Sequence, residues 1–124
     1  MRAKDLFLNY LRAYNAKDVS GMLSLFDDNC AFENISAGKV TVRTKGKAEL
    51  AALAQKSTEA FASREQRVLS LTEEAGRLVA EIDYQAVLCK DLSPELKAGS
   101  TLTLRGISVF EFLNGKIVRL TDYS

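Results

Sequence analysis

The stretch TLTLRGISVFEFLNGKIVRLTDY, residues 101–123, decides the fold class of this chain. Asn114-Gly115 interrupts a long run of strand-forming residues, and this dipeptide favours a two-residue hairpin because both turn positions need a positive φ. The sequence therefore predicts two long antiparallel strands, Thr101 to Leu113 and Lys116 to Tyr123, joined by a tight turn.

Three helices are predicted in the first half of the chain. Apolar residues at helical spacing predict the first helix from about Ala3 to Ala16. Asp18 is a suitable N-cap for a second helix, whose buried face extends to Phe26. Thr44 or Gly46 opens a third helix. The buried side of this third helix is made of Leu50, Leu53, Ala54, Ser57 and Phe61.

Four further strands are predicted between and after these helices. They are Cys30 to Ile35, Val40 to Arg43, Gln66 to Leu71 and Leu78 to Leu88. Helices followed by a run of antiparallel strands indicate an α+β domain, in which the helices pack on one face of a curved sheet. A length of 124 residues with 47% hydrophobic residues is typical of one packed domain, here residues 1–124.

The first strand of this hairpin is apolar on both faces. Between Gly106 and Phe112, one face carries Ser108 and Phe110, and the other carries Ile107 and Val109. An antiparallel sheet with a single buried face has a polar second face. We therefore expect a homodimer through the outer face of the sheet, with Ile117 also in the interface.

Composition excludes several classes of function. Seventeen basic and sixteen acidic residues leave a formal charge of +1, which predicts no binding to nucleic acid or to a membrane. The chain has no histidine, so catalytic triads that use one are excluded, and we expect neither a metal nor a cofactor. Cys30 and Cys89 are expected to be buried free thiols. With no signal-peptide pattern and no long apolar segment, a cytoplasmic location is expected.

Three segments resemble a known superfamily. YLRAYNAKD (10–18), LSLFDDNCAFEN (23–34) and RGISVFEFLNGKIV (105–118), the last followed by TDY (121–123), resemble the nuclear-transport-factor-2-like proteins, which include SnoaL-like polyketide cyclases and ketosteroid isomerases. The resemblance covers nearly the whole chain in order and spacing. It implies a cystatin-like cone, in which a curved antiparallel sheet wraps against three helices around an apolar interior.

Asp122 and Tyr10 are the candidate catalytic residues. Asp122 shares its parity on the last strand with apolar residues, so its carboxyl is expected to resist ionisation and to suit acid/base work. By resemblance, it matches the acid/base aspartate of the SnoaL-like cyclases. Tyr10 matches the tyrosine with which ketosteroid isomerases hold an enolate oxygen. The alternatives are an edge carboxylate bonded to a backbone amide and a core tyrosine satisfied by a carbonyl.

Four further residues are candidate substrate contacts. Asn34 stands where ketosteroid isomerases carry their base, and Ser108 stands where they carry a second oxyanion donor, so isomerisation of 3-ketosteroids by the usual residues is not expected. Tyr84 and Phe110 face inward by parity, either as packing or as stacking surfaces for a ligand. The sequence thus predicts an enzyme for cofactor-free cyclisation, isomerisation or dehydration of an apolar, for instance polycyclic, carbonyl compound. The alternative is a non-catalytic dimeric module that binds a small apolar molecule or a partner.

Overall fold

The computed structural model describes residues 2–124, in which three helices lie before or among six strands. The elements are α1 (Ala3–Asn15), α2 (Val19–Leu23), β1 (Phe26–Ser36), β2 (Lys39–Lys45), α3 (Lys47–Ala60), β3 (Phe61–Glu74), β4 (Arg77–Leu88), β5 (Thr101–Leu113) and β6 (Lys116–Tyr123). The predicted α+β class is confirmed, and β5 and β6 have the predicted bounds. Asn114 and Gly115 have φ of 53° and 75°, as the hairpin requires.

The six strands form one curved, open sheet in the order β2-β1-β6-β5-β4-β3. Four of the five pairings are antiparallel, but β1 and β6 run parallel, so the sheet is mixed rather than wholly antiparallel as the sequence predicted. This parallel pair joins the first and last strands of the chain. The long connection between them lets β6 lie beside β1 in either direction. Local patterns do not determine such a pairing.

Two helix boundaries differ from the predictions. Phe26 was expected on the second helix, yet it begins β1 and pairs with Ile117 of β6. Phe61 was expected on the third helix, yet it begins β3 and pairs with Leu88 of β4. Where a helix meets a strand, a buried aromatic residue fits both the helical and the strand periodicity. Pairing with a neighbouring strand then decides which element includes it.

The outer face of the sheet contains fewer apolar residues than predicted. Ile117 was expected there, but it is fully buried. The register shifts by one residue between β5 and β6, since Glu111 faces Arg119 whereas Phe112 faces Ile117. The resulting bulge reverses the parity of β6 and turns Ile117 inward.

The core fills the space between the helices and the concave face of the sheet. Phe7 and Leu11 of α1 are buried in it, together with Leu78 of β4. Cys30 is a buried free thiol as predicted, whereas Cys89 is exposed, because it follows the last residue of β4, and its Sγ donates to the Glu59 carbonyl at 2.9 Å. None of the helices described is long and apolar enough to cross a membrane.

Candidate active site

A cavity of about 230 Å³ lies between the three helices and the concave face of the sheet. Most of its lining is apolar. The apolar lining residues are Met22, Phe26, Phe32, Val42, Leu50, Leu53, Ala54 and Leu120. The remaining side chains are two phenols, an amide, a hydroxyl, a guanidinium and the carboxyl of Asp122, so a few polar groups converge on an apolar chamber.

Asp122 stands in the middle of a polar row that crosses three strands. Its Cα faces Asn34 on β1 and Ser108 on β5 in the strand registers. Residues at matched positions of neighbouring strands point to the same face of a sheet. Two distant segments of sequence therefore bring Asn34 and Ser108 to either side of the carboxyl, and all three residues line the cavity or its extension.

The Asp122 carboxyl is held by one hydrogen bond. The Ser108 hydroxyl donates to Oδ1 at 2.6 Å, and no described residue donates to Oδ2. Burial raises the pKa of Asp122 from 3.8 to about 6, while the Ser108 hydrogen bond acts in the opposite direction. A carboxyl with this pKa exchanges a proton near neutral pH and keeps one oxygen available for a ligand.

Tyr10 faces the same cavity from α1. Its ring packs edge-on against Phe110 at 5.2 Å and against Phe26 at 6.0 Å between centroids. Burial, followed by the nearby Asp122 carboxylate, raises the pKa of the Tyr10 phenol well above its usual value. The phenol therefore stays protonated and serves as a hydrogen-bond donor.

Phe110 lies behind the cavity instead of lining it. It is fully buried and packs against Phe7 and Tyr10, with Phe112 stacked on its other side. Of the two alternatives for Phe110, packing and ligand stacking, its contacts favour packing, because its ring lies against that of Tyr10. Its inward parity was correct, but parity does not distinguish the lining from the layer beneath it.

A second lobe of about 250 Å³ adjoins the first, and both contain Asp122, Asn34, Tyr14 and Ser57. Tyr84 lines this second lobe, as its parity predicted, and its hydroxyl accepts a hydrogen bond from the Tyr14 hydroxyl at 3.1 Å. Burial raises the pKa of both phenols, so both remain neutral donors. Asp122 thus lies where the two lobes meet.

Asn34 and Ser108 line the site but use their donors on the protein. The Asn34 amide donates to Thr41 Oγ1 at 2.8 Å and to Ser36 Oγ at 3.2 Å. The Ser108 hydroxyl donates to Asp122. In this arrangement Ser108 orients the Asp122 carboxyl and the Asn34 amide nitrogen is fixed by β1 and β2, while both residues stay on the lining as candidate substrate contacts.

Arg64 is a cavity residue that sequence reasoning missed. It belongs to β3, is only 6% exposed and lines the first lobe beside Tyr14. The predicted strand begins at Gln66, so strand alternation makes no prediction about the direction of the Arg64 side chain. Extending the alternation of inward Val68 and Gln66 back by two residues would have placed a charged side chain facing the core.

The polar row on the concave face has a charged counterpart on the convex face. Glu33 forms ion pairs with Arg43 and Arg119, and Arg67 pairs with Asp83. Both carboxylates are therefore neutralised by arginines on the outer face. Their placement on the side away from the cavity leaves Asp122 as the carboxyl that both lobes share.

Comparison with known proteins agrees with this architecture. The profile of the SnoaL-like domain family matches residues 7–120. A candidate polyketide cyclase from Xanthomonas campestris is 26% identical, with 98% of this chain and 89% of that chain covered and a TM-score of 0.84. A candidate polyketide cyclase from Pseudomonas putida KT2440 is 27% identical, with 100% and 92% covered and a TM-score of 0.80.

A more distant structure shares the fold. An LEH-like epoxide hydrolase from M. tuberculosis is 17% identical, with 96% of this chain and 79% of that chain covered and a TM-score of 0.76. No match was found among curated protein sequences. One backbone therefore supports several reactions, and the residues of the cavity have to decide among them.

Proposed function

The chain belongs to the SnoaL-like domain family, and from this premise we propose that it is an enzyme that catalyses cofactor-free proton transfer on an apolar carbonyl compound. The observation that carries the proposal is the Asp122 carboxyl, which has a raised pKa and an available Oδ2 at the junction of two mostly apolar lobes. Cyclisation, isomerisation and dehydration all begin or end with such a transfer.

Asp122 is the proposed acid/base. Above pH 6 its carboxylate removes a proton from the carbon next to a carbonyl. The electron pair of that C–H bond becomes the C=C bond of the enolate, and the π pair of the C=O bond moves onto the oxygen. The protonated carboxyl then returns the proton to a different carbon or to a leaving oxygen. Ser108 fixes Oδ1, so the reacting oxygen is Oδ2.

Tyr10 is the proposed donor to the developing enolate oxygen. Its phenol stays protonated and faces the same chamber as Asp122. A hydrogen bond aimed at an oxyanion in an apolar chamber is stronger than the same bond in water, because the solvent does not screen it. The aromatic residues behind Tyr10 hold the ring in place and so preorganise the donor.

The reaction differs from that of the ketosteroid isomerases in the position of its base. Asn34 occupies the place of their carboxylate, and an amide does not accept the proton. All proton transfer therefore falls to Asp122, one strand away on β6. Substrates whose acidic carbon faces β6 are favoured over those that present it to β1.

The experiment that tests this proposal measures hydrogen–deuterium exchange at the carbon next to a carbonyl. Cyclohexanone and 2-tetralone are incubated in deuterium oxide with the protein, and loss of the α-proton signals is followed by NMR. We expect exchange above background, abolished in Asp122→Asn and retained in the control Asp83→Asn, whose carboxylate pairs with Arg67 on the outer face. Equal exchange by the wild type and Asp122→Asn would contradict the proposal, and binding without any exchange would favour a binding module.

A further inference from the structure

We propose that the first lobe of the cavity binds an organic carboxylate, and that Arg64 is the residue that recognises it. The inference rests on the proposed function for the reaction and adds the substrate class, an apolar carbonyl compound that also carries a carboxylate. It starts from the charge of Arg64, which the proton-transfer mechanism does not use.

Arg64 is a buried cation without a carboxylate partner. It is 94% buried, and within residues 2–124 no Asp or Glu oxygen lies within ion-pair distance of its guanidinium. The arginines of the described chain that do form ion pairs lie at more exposed positions. Removing a guanidinium from water without an anion carries a large desolvation penalty. A bound carboxylate would remove that penalty.

The guanidinium is only partly occupied by neutral groups. Nε donates to the Tyr14 carbonyl at 3.0 Å, Nη1 donates to Ser57 Oγ at 3.3 Å, and the plane lies over the Tyr14 ring at 3.7 Å from its centroid. No described residue accepts from Nη2. A guanidinium has five N–H donors, and its planar fork matches the two oxygens of a carboxylate.

The surroundings hold the guanidinium in a fixed place beside the cavity. Its hydrogen bonds anchor it to the last turn of α1 and to α3, and Tyr14 supports one face of its plane. Such preorganisation lowers the entropic cost of ligand binding. The rest of the lobe is lined by apolar side chains, which suit the hydrocarbon part of the same ligand.

Arg64 is not needed merely to attach α1 to β3, because two other residues make that connection. The Asn15 amide donates to the Gln66 carbonyl at 3.2 Å and accepts from the Gln66 backbone N–H at 2.8 Å. Lys17 Nζ donates to the Phe61 carbonyl at 2.6 Å. A purely structural residue at position 64 would not require a permanent charge.

The placement of Arg64 and Asp122 gives the ligand an orientation. Both residues line the first lobe, without forming an ion pair with each other. A carboxylate on Arg64 would lie on the β3 side of the lobe, and the reacting carbon would lie at Asp122 on β6. The carboxylate of the ligand is thus held at Arg64, apart from the Asp122 carboxylate, which would repel it.

The test compares two ligands of nearly the same shape, one an anion and the other a neutral amide. Binding of 2-naphthoate and of the neutral 2-naphthamide is measured by isothermal titration calorimetry at pH 5.5 and 7.5. We expect the acid to bind more tightly than the amide by about tenfold or more, as for a hydrogen-bonded charge. The preference should disappear in Arg64→Met, persist in part in Arg64→Lys, and stay unchanged in the exposed control Arg43→Met, whose side chain pairs with Glu33 on the outer face.

Two results would overturn the inference: no preference of the wild type for the acid, which includes absence of binding, or a preference that survives Arg64→Met. If Arg64→Met does not fold, the inference is tested by the ratio of the wild-type affinities for the acid and the amide and by the same ratio in Arg64→Lys. Acid preference without α-proton exchange contradicts the proposed function alone. Exchange without acid preference contradicts only the inference about Arg64.

Discussion

Asp122 shows how one residue is adjusted by opposing local effects. Burial disfavours the charged form of the carboxyl, whereas the hydrogen bond from the Ser108 hydroxyl favours that form. The resulting pKa of about 6 means that burial is the larger effect. A difference of about two pKa units corresponds to roughly 3 kcal/mol between the two protonation states. The surrounding fold supplies this energy by keeping the carboxyl in a mostly apolar chamber.

The first prediction concerns Ser108→Ala. Removing the hydroxyl removes the hydrogen bond that favours the ionised carboxyl, so the pKa of Asp122 should rise by roughly one unit. Since the ionised form is the base, the rate of α-proton exchange should increase with pH through about pH 6 in the wild type and through a higher pH in the variant. The measurement is the pH profile of the exchange rate.

The control for this profile is Ser70→Ala. Ser70 also donates to a carboxylate, Glu81 Oε1 at 3.3 Å, but on the outer face of the sheet. Its removal should leave the midpoint unchanged. A midpoint for Ser108→Ala equal to or below that of the wild type would show that Ser108 does not set the pKa of Asp122.

At this scale, the sequence identified the residues that strand parity orients. Asp122, Ser108 and Tyr84 face the cavity, as strand alternation predicted, and Asn34, which was assigned by resemblance, lines it as well. Their hydrogen bonds were not predictable, because Ser108 meets Asp122 only when β5 pairs with β6 in one register. Arg64 was missed because its strand begins earlier than the pattern indicated.

At the scale of elements, β5 and β6 determine the site because their register places Ser108 opposite Asp122. Gly106 lies two residues before Ser108, where the two strands approach closely. A Cβ at Gly106 would lie 2.7 Å from the backbone oxygen of Tyr123. The hairpin and both strands were predicted with correct bounds, but the bulge in β6 was not, since it depends on how the strand fits its neighbours.

The second prediction is that Gly106→Ala destabilises the protein. The new methyl group meets backbone rather than a mobile side chain, so β6 has to move, which costs about 1–3 kcal/mol. The free energy of unfolding in urea measures this change. The same variant should slow α-proton exchange, because the displaced strand carries Asp122.

Gly115→Ala is the contrasting variant. No atom lies within 4 Å of a Cβ at that position, and only the positive φ of 75° opposes the substitution. It should cost about 1–2 kcal/mol, without slowing exchange in the protein that remains folded. If Gly106→Ala is as stable and as active as the wild type, the close approach of the strands does not constrain the site.

At the scale of the whole molecule, the sheet separates a reactive face from an apolar outer patch. Val79, Ile107 and Tyr123 are between 36% and 45% exposed on the outer side and stand near the ion pairs of Glu33 and Arg119. The α+β order and the apolar outer face followed from sequence patterns. The mixed topology did not, because pairing between the chain's first and last strands leaves no local signal.

The third prediction is that two copies of the chain associate through this outer patch. Ile107→Lys places a charge in the centre of the proposed interface and should convert a dimer to a monomer, as measured by sedimentation at micromolar concentration. The exposed control Leu92→Lys, in the loop after β4, should remain dimeric. A wild-type chain that sediments as a monomer under these conditions would contradict the prediction.

The central claim is that Asp122 is a desolvated carboxyl able to exchange a proton near neutral pH. The most direct test follows its carboxyl carbon by carbon-detected NMR during a pH titration and assigns the signal with Asp122→Asn. We expect a midpoint near 6. A midpoint at or below 3.8, the value of an unperturbed aspartate, would mean a solvated carboxylate and would contradict the proposed mechanism.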